Sequence, residues 1–224
     1  MPPSSPAASV SAALDSVVGV RLLLLSLHPG ALRSFLDDGQ RPGPIVYVDD
    51  AQAAFRDAPF VAAELEAVRS CGLELVETTL RHTAPDDAER LLSDAGAVYV
   101  AGGSTFALLE ALRLSGNDLV LVDHVRRGLP YIGLSAGSIV AGPDVTPASL
   151  MDDPADGPAL TSHEGLGLVD VTVIPHADGA LPPYPPELIS RIVDTYGSDF
   201  AILPLRDDQA LLIEDAGSRV IASR

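Results

Sequence analysis

Short apolar runs with little polar alternation constrain this chain more than any other feature of it. Residues 21–26 read Arg-Leu-Leu-Leu-Leu-Ser, and β-rich apolar runs recur at Pro44–Val48, Leu73–Thr78, Ala97–Ala101 and Leu129–Gly133. A strand that is apolar on both faces must be covered on both faces, which is the setting of a parallel sheet flanked by helices. Helix-like stretches separate the early runs, at Gly30–Leu36, Ala51–Cys71, Ala84–Asp94 and Thr105–Leu114. Three further strands are expected at Val169–Ile174, Gln209–Ile213 and Ser218–Ile221. The alternation predicts an α/β fold, a doubly wound and mostly parallel sheet. Such sheets gather ligands at the carboxyl ends of their strands. Pro and Gly cluster between Asp144 and Leu166, which predicts a long irregular loop of the kind that often serves function.

The 224 residues fit one domain with a single large core. Residues 17–224 are expected to form it, with the Pro-, Ser- and Ala-rich residues 1–16 as a mobile lead-in. The run Leu22–Leu27 is too short to span a bilayer. It also lacks the basic flank and small-residue cleavage site of a signal peptide. The net charge is −17, and all 14 cationic side chains are arginine. A surface that acidic repels phosphate backbones and anionic lipid, so neither nucleic acid nor membrane is an expected partner. Cys71 is the only cysteine. There is thus no disulfide framework or thiolate cluster, and a cytoplasmic setting is favoured.

Gly133-Leu134-Ser135-Ala136-Gly137 follows a predicted strand and opens a short helical pattern. In that context Gly-x-Ser-x-Gly is the pattern of a nucleophile elbow. The tight turn presents the Ser135 hydroxyl at the sheet edge, near the positive end of a helix. A second strand-to-helix turn reads Val100-Ala101-Gly102-Gly103-Ser104-Thr105. Acyl transfer needs two backbone donors for the oxyanion, and the N–H groups of Gly103 and Ala136 are the candidates. A phosphate loop would look similar but would end in Gly-Lys-Ser/Thr.

A serine hydroxyl needs a base. Among His28, His82, His124, His163 and His176, the last follows a predicted strand directly, in Ile174-Pro175-His176. That places it on the same sheet edge as Ser135. His28 is the reserve, His163 in the long loop is a candidate substrate contact, and His82 and His124 read as surface or helix residues. The orienting carboxylate is expected from Asp152 or Asp153, with Glu164 as the alternative acid.

Taken together, Gly102-Gly103-Ser104-Thr105-Phe106, Tyr131-Ile132-Gly133-Leu134-Ser135-Ala136-Gly137 and Pro175-His176 resemble the peptidase E family of serine peptidases. That family includes aspartyl dipeptidases and is related to cyanophycinases. The resemblance runs from the first strand to about Phe200. It implies a three-layer fold similar to class I glutamine amidotransferases, with Ser135 as nucleophile, His176 as base, no metal or cofactor, and a small peptide as substrate. Two positions depart from the aspartyl dipeptidases. The ungapped counterpart of their acid is Leu150, so the acid is expected to have shifted across a small insertion. The counterpart of the arginine that holds the substrate's aspartate is Leu188, and Arg191 could replace it only if the helix turned. The expected activity is that of an exopeptidase or dipeptidase working through an acyl-enzyme, with aspartyl specificity open and a homodimer as a compatible assembly. The alternatives are an α/β-hydrolase-type esterase and a non-catalytic relative that binds a small molecule or a protein.

Overall fold

The computed structural model describes residues 19–39 and 41–224; the predicted lead-in at 1–16 lies outside the described residues. Strands β1 (Leu22–Leu25), β2 (Ile45–Val48), β3 (Leu75–Thr78), β4 (Ala97–Val100) and β5 (Tyr131–Leu134) are mutually parallel in the order β3-β2-β4-β5-β1. The antiparallel hairpin of β8 (Gln209–Glu214) and β9 (Gly217–Ala222) extends this sheet beyond β1. Strands β6 (Thr172–Ile174) and β7 (Ile202–Pro204) pair in parallel as a separate two-stranded sheet.

The apolar runs are explained by where alternate residues go. Leu22, Leu24, Val46, Val48, Val98 and Val100 enter one core cluster, while Leu23, Leu25, Ile45, Tyr47, Ala97 and Tyr99 enter another. The pleat sends successive side chains to opposite faces, and both faces are roofed by helices. On the first face lie α3 (Pro85–Ser93), α4 (Thr105–Ser115), α5 (Asn117–Arg126) and the short α6 (Ala136–Val140). On the second lie α1 (Leu32–Gly39) and α2 (Pro59–Arg69). The result is an α/β three-layer sandwich, with the helix-covered, mostly parallel sheet that the apolar runs predicted and the layering that the family resemblance implied.

Several boundaries differ from the sequence expectation. The helix expected over Ala51–Cys71 is confined to α2, because Pro59 opens it and a 3-10 turn at Asp50–Gln52 precedes it. The helix α5 was not legible in the sequence. Its charged residues blur the apolar period, and Gly116 at φ 75° turns the chain into it from α4. Helix α7 (Pro186–Tyr196) packs Leu188, Ile189 and Ile192 against Ile174, forming a third, smaller core. The long loop is irregular as predicted. It carries 3-10 turns at Thr146–Leu150 and Pro154–Asp156 and a bridge between Asp144 and Glu164.

Candidate active site

The turn after β5 holds Ser135 at φ 48° and ψ −106°, a conformation that non-glycine residues seldom adopt. Strain of this kind costs on the order of 1–3 kcal/mol and persists only where the surroundings impose it. Here they do. The Ser135 N–H donates to the Leu25 carbonyl at 3.1 Å, and the buried Ser138 hydroxyl donates toward the carbonyls of Leu25 and Gly133 at 2.7 and 2.8 Å. Steric limits explain the two glycines of the motif. A Cβ on Gly133 would lie 2.4 Å from the Gly137 carbonyl oxygen, and one on Gly137 would lie 2.1 Å from that of Val100. Gly137→Ala is therefore expected to cost about 3 kcal/mol, as overpacking against fixed backbone does. A denaturant titration that finds the variant as stable as the parent would refute this account of the turn.

Ser135 Oγ lies 3.1 Å from His176 Nε2, and His176 Nδ1 lies 2.7 Å from Asp207 Oδ1. His176 and Asp207 are both buried, whereas Ser135 is partly open to solvent. His176 is held by two further contacts. Its backbone, at φ 61°, donates an N–H to Ser26 Oγ at 2.8 Å, and Ser26 in turn donates to the Leu205 carbonyl at 3.1 Å. The Tyr184 ring stacks on it with centroids 4.9 Å apart and an interplanar angle of 7°. Burial pushes the His176 pKa below the ordinary imidazole value, while the Asp207 carboxylate, and more weakly Asp152 and Asp178, pull against that shift.

The carboxylate on His176 is thus Asp207, and the expectation of Asp152, Asp153 or Glu164 in that position is corrected. Asp152 Oδ2 accepts the Thr105 N–H at 3.0 Å at the start of α4. Asp153 caps the turn that follows it through the Ala155 N–H at 2.9 Å. Glu164 is exposed and does not line the cavity described below. Asp207 follows β7, a strand absent from the sequence expectation, and the β6–β7 pairing is what carries Asp207 to His176. The signal was present in Ala201-Ile202-Leu203-Pro204-Leu205, an apolar run cut by a proline that disfavours a strand reading.

The remaining candidates separate cleanly. His28 and His82 are exposed. His124 is buried on α5 against Glu89, with Nε2 at 2.8 Å from Oε2. His163 packs on the Phe106 ring and lies 3.2 Å from Thr146 Oγ1, away from the cavity. Leu188 is buried in the third core, and Arg191 is exposed and outside the cavity lining. Among the described residues, no group of three or more His, Cys, Asp or Glu is arranged to hold a metal ion. No helix among them is long and apolar enough to cross a membrane.

The second turn lies directly beside Ser135, where a Cβ on Gly102 would stand 3.4 Å from the Ser135 Cβ. The Gly102 N–H donates to Glu64 Oε1 at 3.1 Å and the Ser104 N–H to the Ala51 carbonyl at 2.9 Å, which leaves the Gly103 N–H between them. Gly103 has φ 139°, and a Cβ there would lie 2.2 Å from the Ala51 carbonyl oxygen. The Ala136 N–H heads α6, where no earlier carbonyl of the helix can receive it. Burial raises the Glu64 carboxyl to about 7, against the pull of the Gly102 N–H and the Gln52 amide that donate to it at 3.1 and 3.0 Å. Ser135, His176, Gly103 and Glu64 all border one cavity of about 490 Å³, a size suited to a small organic ligand.

The model of peptidase family S51 matches residues 26–221. The chain is 28% identical over 171 residues to the uncharacterized peptidase Lin0382 of Listeria innocua, covering 76% of this chain and 80% of that one. It is 30% identical over 169 residues to the uncharacterized peptidase PM1590 of Pasteurella multocida, covering 75% and 74%. A crystal structure from Listeria monocytogenes, of a protein named for peptidase E, superposes with a TM-score of 0.80 at 25% identity, covering 91% of this chain and 98% of the other.

Proposed function

The chain belongs to peptidase family S51, the peptidase E family, and is a serine-type peptidase; from that premise we propose that it cleaves dipeptides or short peptides through an acyl-enzyme on Ser135. The observation that carries this reading is the hydrogen-bonded series Ser135–His176–Asp207 at the edge of an open cavity. His176 Nε2 takes the Ser135 proton as Oγ bonds to the scissile carbonyl carbon. The carbonyl oxygen becomes the oxyanion and is received by the N–H groups of Gly103 and Ala136. Collapse breaks the C–N bond, and the proton on His176 passes to the leaving amine. Water then repeats the sequence on the ester, returning Ser135 and releasing the acid. Asp207 keeps the Nδ1–H tautomer in place and stabilises the imidazolium that forms in each half. No step calls on a cofactor.

The esterase alternative loses ground to the family membership. A fluorophosphonate probe tests the nucleophile directly: the adduct is expected on Ser135 by peptide mass analysis, and an intact Ser135 would overturn the mechanism.

The pH dependence follows from the environment of the base. Burial disfavours the imidazolium, so the neutral, proton-accepting form of His176 persists to lower pH than in a free histidine. The acid limb of kcat/KM is therefore expected to have its midpoint below 6.5, the ordinary histidine value. A pH–rate profile whose limb falls at or above that value would contradict burial as the dominant influence.

A further inference from the structure

The cavity lining divides by chemistry. Its wall contains Phe55 and Phe60, whose rings lie 5.8 Å apart and remain 38% and 46% exposed. Large apolar side chains left in water beside a concave site commonly mark a contact surface. Leu27 and Leu181 also line the cavity. Apart from His176 and Tyr184, the ionisable lining is made of the carboxyl groups of Glu64, Asp152, Asp153 and Asp156, with no arginine among the lining residues. An aspartate side chain entering this space would add a carboxylate to Asp152, Asp153, Asp156 and the Glu64 carboxyl, which burial raises to about 7, with no guanidinium to pair it. An apolar side chain would instead cover two rings that water now wets.

Helix α2 fixes this wall relative to the reacting groups. Phe60 and Glu64 are four residues apart and share one helix face. Glu64 accepts the Gly102 N–H beside Gly103, so the helix that presents Phe60 is tied to the turn proposed to receive the oxyanion. The apolar wall and the scissile carbonyl are thereby held in one frame.

We infer that the cavity selects peptides whose N-terminal residue carries a large apolar side chain, seated against Phe55 and Phe60, and that it discriminates against an N-terminal aspartate. This rests on the peptidase mechanism at Ser135. The closing experiment measures kcat/KM for Phe-Ala, Leu-Ala, Gly-Ala and Asp-Ala with the parent and with Phe60→Ala and Phe55→Ala, alongside fluorophosphonate labelling of each. Because both rings are exposed, the variants are expected to fold and to label. The parent is expected to favour Phe-Ala and Leu-Ala over Asp-Ala by at least about tenfold, and each variant to lose roughly tenfold of the Phe-Ala over Gly-Ala preference, the range for one apolar contact. A parent that labels and prefers Asp-Ala overturns the inference alone. So does a variant that labels yet keeps the Phe-Ala over Gly-Ala ratio. A parent that neither labels nor cleaves any of the four overturns the peptidase mechanism and the inference with it.

Discussion

Replacing Ser135 by alanine is expected to lower kcat by about 10⁵-fold on any peptide the parent cleaves, because no other group near His176 can form the acyl bond. Binding should change little, since the removed atom is one hydroxyl oxygen at the edge of a cavity of about 490 Å³. Stability should hold or rise slightly. The loss of a partly exposed hydroxyl leaves the backbone bond from Ser135 to Leu25 in place, and the left-handed turn stays imposed by its neighbours. Steady-state kinetics with a peptide substrate, beside thermal unfolding, separates the two quantities. Turnover within tenfold of the parent would remove Ser135 from the mechanism.

The second large effect discriminates between two carboxylates. Asp207→Asn is expected to reduce kcat by roughly 10⁴-fold, as loss of the tautomer-fixing carboxylate does in triads of this kind. The bond it changes is the buried 2.7 Å contact with His176 Nδ1. Asp152→Asn should cost less than about tenfold, because an amide oxygen can still accept the Thr105 N–H and the His176 ring keeps its partner. It should leave a fingerprint nonetheless. Asp152 contributes a charge that favours the protonated imidazole, so its neutralisation should move the acid limb of kcat/KM to still lower pH. Equal losses in the two variants would mean that the carboxylate serving His176 in turnover is not fixed by this geometry.

The pair Asp207 and Asp152 also shows where sequence reading stops. The elbow was legible at Ser135 because its requirements are local: a strand, a turn too tight for any Cβ at Gly133 and Gly137, and a helix start. The Gly102-Gly103 turn was legible for the same reason. His176 could be chosen from five histidines because it follows an apolar strand directly. The acid carries no such mark. Many carboxylates sit in loops, and chain order between Ser135 and His176 made Asp152 and Asp153 attractive. Asp207 reaches the ring only because β7 pairs in parallel with β6, from 31 residues further on. That pairing is non-local and involves three residues on each strand, one of them a proline.

The sequence by itself determined the layers of the fold and two of the reacting side chains. Runs apolar on both faces admit few arrangements other than a parallel sheet under helices, and a Gly-x-Ser-x-Gly turn between strand and helix admits few serine conformations. The tertiary structure alone decided which carboxylate meets His176, and that Tyr184 stacks on the same ring. It also decided that Phe55 and Phe60 stand exposed at a cavity whose charged wall is acidic. Periodicity records which face of an element is buried. Which distant segments share a cavity depends on how the elements pack, and no local pattern encodes that.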